Sequence, residues 1–251
     1  MIQLIAEREI YMKYYDKDDN EIIIPDSVLN NEVGHGVCAT VYRYTEDLCF
    51  KRYDRGIYLE KNFLKTDIYK DLCNIKHHNL ADIKKILYKD KKYKYTADAY
   101  LLSYYEEIYK NFLEVPTEYL LYNIEEIFKL LKIMSRYKMR LDDLKRENIL
   151  LTEKSIVLID PDWWHYEYLT KDNNDIEKLN INNIMGMFSE ITEKSLKNNY
   201  LDFLIENNLY DYVISNKLFP LTSNKDRAMK VLSKRLNGYK RPIDYVYSMK
   251  K

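Results

Sequence analysis

The sequence predicts an α+β protein in two lobes, the first strand-rich with one main helix and the second mainly helical. Three observations carry this prediction. The chain has 251 residues, 46% of them apolar, which is enough for a substantial core and about one and a half times the usual domain size. Short β-branched and aromatic runs dominate the first part, while apolar residues beyond about position 118 recur at helical spacing. No repeat or low-complexity linker intervenes, so the boundary falls near 105–117 and the lobes span 1–105 and 106–251.

The elements follow in order. Residues 21–25, EIIIP, form a β-branched run closed by proline, and residues 28–53 give three strand-like runs separated by the glycine pair Gly34/Gly36 and by a TED turn. Over 56–75 the period changes: Tyr58, Leu59, Phe63, Leu64, Ile68, Leu72 and Ile75 share one helical face. Strand character returns at 82–88 and 99–105, joined by a lysine-rich turn. Helices are predicted near 123–138, 175–191, 197–214 and 224–236, the last closed by Gly238. Between the first two lie the brief apolar runs of RLDDLKRENILLTEKSIVLIDPD.

Composition excludes several classes. Forty basic and forty acidic side chains cancel, so no bulk electrostatic grip on nucleic acid or anionic lipid is expected. The first residues lack a basic start followed by an apolar run, and no window approaches a membrane span. Cys38, Cys49 and Cys73 lack metal-ligand spacing and read as reduced thiols, consistent with a cytoplasmic setting.

Only five glycines occur, roughly 2% against a typical ~7%. Two of them sit in Gly34-His35-Gly36-Val37-Cys38-Ala39-Thr40-Val41, entered and left through strands. A dinucleotide fingerprint needs a helix after the glycines, and here a strand follows. A glycine hairpin of this kind can lie close over phosphates because it lacks Cβ atoms. Lys51 ends the apolar run LCFK ten residues after Val41, which makes it a candidate ligand for α- and β-phosphates. Further on come Asp143-Leu144-Lys145-Arg146-Glu147-Asn148 and then Asp160, which ends the run IVLID.

Glycine hairpin, lysine, helix, Asp-x4-Asn, apolar strand and Asp, in that order, resemble the protein-kinase-like superfamily over roughly residues 30–190, closest to a divergent eukaryotic-type Ser/Thr protein kinase. The resemblance implies a bilobal fold with ATP and Mg²⁺ (or Mn²⁺) as cofactors. By position, Asp143 resembles the catalytic aspartate and Lys145 the loop lysine that steadies the γ-phosphoryl. Asn148 and Asp160 resemble the metal ligands, Gly34, Gly36 and Val41 the phosphate-covering loop, and Lys51 the strand lysine. Its acidic partner is Glu60 or Asp67, counting back from His77-His78-Asn79-Leu80, which resembles the family's HPNI. Tyr104 or a neighbour in AYLLSYYEE takes the place of the adenine-binding hinge.

The departures are specific. Ala39 replaces the third glycine, Leu141-Asp142 stand where the family has His-Arg, and Asp160-Pro161-Asp162 replaces DFG. No APE follows. Trp163, Trp164, His165 and Tyr166 come at once, and Asp175-Ile176 with Leu179 already resembles the helix that anchors the second lobe. The short segment is similar to that of aminoglycoside and choline kinases, whereas Lys145 is similar to the Ser/Thr protein-kinase pattern. The implied function is γ-phosphate transfer to a hydroxyl, with a protein Ser/Thr favoured over a small molecule. A pseudokinase scaffold is the alternative. ATP and the hydroxyl substrate are the expected partners, with neither nucleic acid nor membrane.

Overall fold

Short apolar and β-branched runs organise the N-terminal half of the chain into antiparallel sheets. The computed structural model describes residues 11–53, 66–92, 97–142, 144–161, 164–167, 172–206 and 218–248, with the side chains of 66–67 and 191–206 left aside. Strands β1 (Tyr11–Tyr15) and β2 (Glu21–Pro25) pair as a hairpin, Tyr14 opposite Ile22. Five further strands, β3 (Glu32–His35), β4 (Ala39–Arg43), β5 (Leu48–Tyr53), β6 (Ile83–Leu87) and β7 (Ala99–Ser103), form one sheet in the order β3-β4-β5-β7-β6. Its apolar face buries Tyr42, Phe50, Leu87 and Leu101 together with Tyr14 and Ile24. Tyr14 meets Phe50 edge-on at 5.6 Å between ring centroids. Helix α1 (Thr66–Leu72) accompanies the sheet, its Tyr69 ring stacked at 4.1 Å on Tyr100 of β7.

Burial in this sheet sets cysteine chemistry. Cys49 on β5 is buried, and the loss of solvation pushes its thiol up to about 11 from 9.0, with Arg43 opposing weakly. Only the thiolate is nucleophilic. Two pH units fewer of ionisation mean that, near neutral pH, Cys49 should react with a maleimide at least about a hundredfold more slowly in the folded than in the urea-unfolded chain. Peptide mass spectrometry of timed labelling measures this; folded and unfolded rates within a few-fold of each other would contradict the burial.

Four further short strands and four helices follow: α2 (Thr117–Arg136), β8 (Met139–Arg140), β9 (Ile149–Leu151), β10 (Ile156–Leu158), β11 (His165–Tyr166), α3 (Asn173–Glu206), α4 (Lys225–Leu236) and α5 (Pro242–Ser248). Leu120, Ile124, Ile127, Leu131 and Met134 make the buried stripe of α2 at helical spacing. The helix ends where Lys138 adopts the left-handed φ of 58°, its amide bonded to Ser135 C=O. Phe112, Phe188 and Phe219 pack mutually, with centroids 5.1–5.8 Å apart. Asn224 caps α4 by accepting the Arg227 amide at 2.9 Å.

Backbone contacts group Met1–Lys76 with Ala81–Tyr105 in one unit and His77–Leu80 with Glu106–Lys251 in another. The architecture is mixed α+β with antiparallel sheets, and five α-helices occur among the described residues. Several elements differ from the sequence reading. The helices expected at 175–191 and from 197 are one continuous helix as far as Glu206, because no glycine or proline interrupts the chain between Gly186 and that residue. Strands β1, β8 and β11 and helix α5 were not foreseen. Among the described residues no helix is long and apolar enough to cross a membrane.

Candidate functional site

In the first unit, a single cross-strand row contains several of the expected nucleotide-binding residues. Gly34 lies opposite Val41, Val41 opposite Lys51, and Lys51 opposite Tyr100. Directly opposed residues in a ladder project to the same face, so Gly34, Val41 and Lys51 share one. The β3–β4 turn closes with the Gly36 amide donating to Ala39 C=O at 2.8 Å, and Val37 at its tip is 76% exposed. A Cβ added at Gly34 would stand 3.8 Å from Val41 Cβ and one at Gly36 would stand 3.5 Å from the Ala39 carbonyl, both ordinary contact. These glycines are thus not demanded by packing within the hairpin.

Lys51 is buried at 6% exposure, with Nζ 5.2 Å from the Tyr53 ring centroid. A buried ammonium is costly unless it is paired, so this position is not surface decoration. Tyr53 in turn shares a 3.0 Å hydroxyl contact with Tyr69 of α1. The two candidates for its acidic partner, Glu60 and the side chain of Asp67, lie outside the described residues. Tyr104 follows β7. Its amide donates to Asp47 C=O at 2.8 Å and its ring lies 3.3 Å under the Arg43 guanidinium, so its own N–H is already engaged.

In the second unit, the segment after β8 carries the acidic and amide residues. Strands β9 and β10 pair in register from Leu151↔Ile156 to Ile149↔Leu158. Beyond the last pair, the Ile159 amide donates to Asn148 C=O at 2.9 Å. That bond sets Asn148 next to Ile159, and therefore one residue from Asp160, at the open end of the hairpin. Asn148 is buried, while Asp160 is half-buried and holds a left-handed φ of 57°. Such a φ is uncommon outside glycine, though Asp tolerates it better than most. Strained backbone of this kind concentrates at working sites. The Asn148 amide donates to Lys145 C=O at 3.0 Å, and Lys145 itself is exposed. Asp143 lies outside the described residues, as does Trp163; Trp164 is 3% exposed and fills interior space.

The surroundings hold this loop from several sides. Asn180 of α3, fully buried, accepts the Leu141 amide at 3.0 Å and donates to Met139 C=O at 2.9 Å. Asn183 donates to Leu141 C=O at 2.8 Å. Arg146 reaches Glu107 at 2.6 Å, Ile149 C=O at 2.9 Å and Lys110 C=O at 2.9 Å. Burial raises the Glu107 carboxyl, but Lys110 and Arg146 outweigh it and hold the group below its ordinary range. None of these partners was anticipated. A signal existed for Asn180, a polar residue between Ile176 and Ile184 on the buried stripe of its helix.

No protein-family model matches the chain, and no curated protein matches it.

A separate cluster joins the His77–Leu80 segment to α2. His77 Nε2 and His78 Nε2 each lie 3.9 Å from Glu126 Oε2, their rings stacked at 4.7 Å, and Lys129 pairs with the other Glu126 oxygen. The three potential ligand atoms fall within 4.8 Å of one another. The Asn79 amide donates to His77 Nδ1 at 3.3 Å, however, which leaves the proton of a neutral His77 on Nε2 and disfavours metal ligation there. Burial, then the neighbouring His78, lowers the His77 pKa, while Glu126 opposes. Below pH 6.5 the unfolded chain takes up a proton that the folded chain resists, so stability falls toward acid. His77→Gln should flatten that fall below pH 6.5 in urea titrations at stepped pH; an unchanged slope would contradict the assignment.

Proposed function

We propose that the chain is an ATP- and Mg²⁺-dependent kinase of the protein-kinase-like fold that transfers the γ-phosphate to a hydroxyl, with a protein Ser/Thr as the favoured acceptor. The observation that carries this reading is the backbone pairing of Asn148 with the residue before Asp160, which sets an amide-bearing and a carboxylate-bearing residue at the same end of one hairpin. Hard oxygen donors of this type suit Mg²⁺, so the donor set fits the metal the reading requires. When bound, such an ion neutralises charge on the transferring phosphoryl group.

The remaining chemistry is positioning and electrostatics. Lys51 supplies a buried positive charge for the triphosphate, and Gly34 and Gly36, which carry no Cβ, let the backbone of the β3–β4 turn approach the phosphates closely. Lys145 steadies the γ-phosphoryl. Asp143 orients the acceptor hydroxyl and takes its proton as the bond to the γ-phosphorus forms and the bond to the β-bridging oxygen breaks. The experiment is thermal unfolding of the full chain with and without ATP and Mg²⁺. A ligand at 100 times its dissociation constant adds about 2.7 kcal/mol, which raises the midpoint by roughly 5–10 °C for a chain of this size. Absence of any shift at saturating nucleotide would favour a scaffold that binds no ATP.

A further inference from the structure

Four ionisable side chains, Arg140, Asp142, His165 and Glu167, gather where β8 pairs with β11. The ladder is two residues long on each side, His165 opposite Arg140 and Tyr166 opposite Met139. So short a pairing has little stability of its own. Asp142, the residue two beyond β8, is gripped on both carboxylate oxygens. His165 Nδ1 lies 2.8 Å from Oδ2, and Arg140 Nε lies 3.2 Å from Oδ1 as an ion pair without hydrogen-bond alignment. Arg140 also reaches Glu167 Oε2 at 3.3 Å, and the buried Glu167 donates its amide to Lys138 C=O at 2.7 Å. Contacts between groups as exposed as Asp142 and His165 add little to global stability. What they fix is geometry: Asp142 begins the turn that leads to Lys145 and Asn148, and His165 lies just beyond Asp160.

We propose that Asp142 and His165, supported by Arg140 and Glu167, form a brace that positions the Lys145–Asn148 loop against the segment following Asp160. Both are positioning residues for the phosphoryl transfer, and the proposal rests on the kinase reading above. The contact uses Nδ1 of His165, which makes the substitution pattern specific. In His165→Asn the side-chain amide nitrogen can take the place of Nδ1, whereas in His165→Gln it sits one carbon further out and cannot.

The test measures steady-state ATP turnover and amide hydrogen exchange for the full chain and its Asp142→Asn, His165→Gln and His165→Asn variants. A small displacement of reacting groups costs up to about a hundredfold in rate. Asp142→Asn and His165→Gln are expected to lose about tenfold or more in kcat at unchanged KM for ATP, while His165→Asn stays within about threefold of the unsubstituted chain. Where the unsubstituted chain turns over ATP, equal rates for all four proteins, or a His165→Asn variant as slow as His165→Gln, would overturn the brace. Exchange reads the same contact independently of activity. The Glu167 amide should exchange about tenfold faster in Asp142→Asn and His165→Gln, with the β9–β10 amides unchanged as evidence of folding. Unchanged Glu167 exchange would overturn the brace, whereas faster exchange in a chain without turnover would uphold the brace and refute the kinase reading.

Discussion

Asp160→Asn is expected to lower ATP turnover by about 10²–10³-fold, the loss seen when one preorganised electrostatic contact to a transition state is removed. That factor corresponds to about 2.7–4 kcal/mol. Asparagine is the informative replacement because Asp160 holds φ at 57°. Asn tolerates the left-handed region as Asp does, whereas alanine would add a backbone penalty unrelated to metal. The variant keeps a side-chain oxygen and loses only the charge, so the Mg²⁺-dependent part of the ATP-induced thermal shift should collapse while the unliganded fold persists. Isothermal calorimetry with ATP at fixed Mg²⁺, alongside turnover, checks both halves. Unchanged metal dependence would remove Asp160 from the site.

The second large effect concerns stability. Asn79→Ala should cost about 2–4 kcal/mol, because buried groups that lose a partner bear about 1–3 kcal/mol each. Asn79 is fully buried, and its amide nitrogen donates to Asn123 Oδ1 at 2.8 Å and to Ile156 C=O at 2.7 Å. Asn123 Oδ1 also accepts the Ile156 amide at 2.9 Å. One side chain thereby ties the His77–Leu80 segment to both α2 and β10. At roughly 2–4 °C per kcal/mol for a chain of this size, the midpoint should drop by about 5–15 °C. Calorimetric scans measure it. A drop of under about 2 °C would show that water or a neighbour replaces the lost donor.

In the first unit β4, β5 and β7 were legible as short apolar and β-branched runs such as LCFK and AYLLS, bounded by polar or turn residues, whereas β1 was not. The β9–β10 hairpin was equally legible, since ILL and IVLID are two short apolar runs separated by polar TEKS. Its consequence, the neighbouring of Asn148 and Asp160, follows from register, which spacing alone does not set. The buried asparagines were harder to foresee. Asn123 and Asn180 interrupt apolar helical stripes, and periodicity counts them as mismatches when they are in fact hydrogen-bonded interior residues. The Arg140–Asp142–His165 network was also hidden, because its members are brought together by a two-residue strand pairing too short to leave a pattern. Helix α3 was divided in two by the same reliance on periodicity. Its polar stretch near 192–194 broke the apolar pattern without breaking the backbone.

The most direct test of the central claim is incubation of the full chain with γ-labelled ATP and Mg²⁺ or Mn²⁺, in parallel with its Asp143→Asn and Asp160→Asn variants. The label is followed into protein, into co-purifying material and into free phosphate. The kinase reading predicts metal-dependent transfer or release by the unsubstituted chain that both variants lose. No label movement with either metal, or movement that both variants retain, would contradict it.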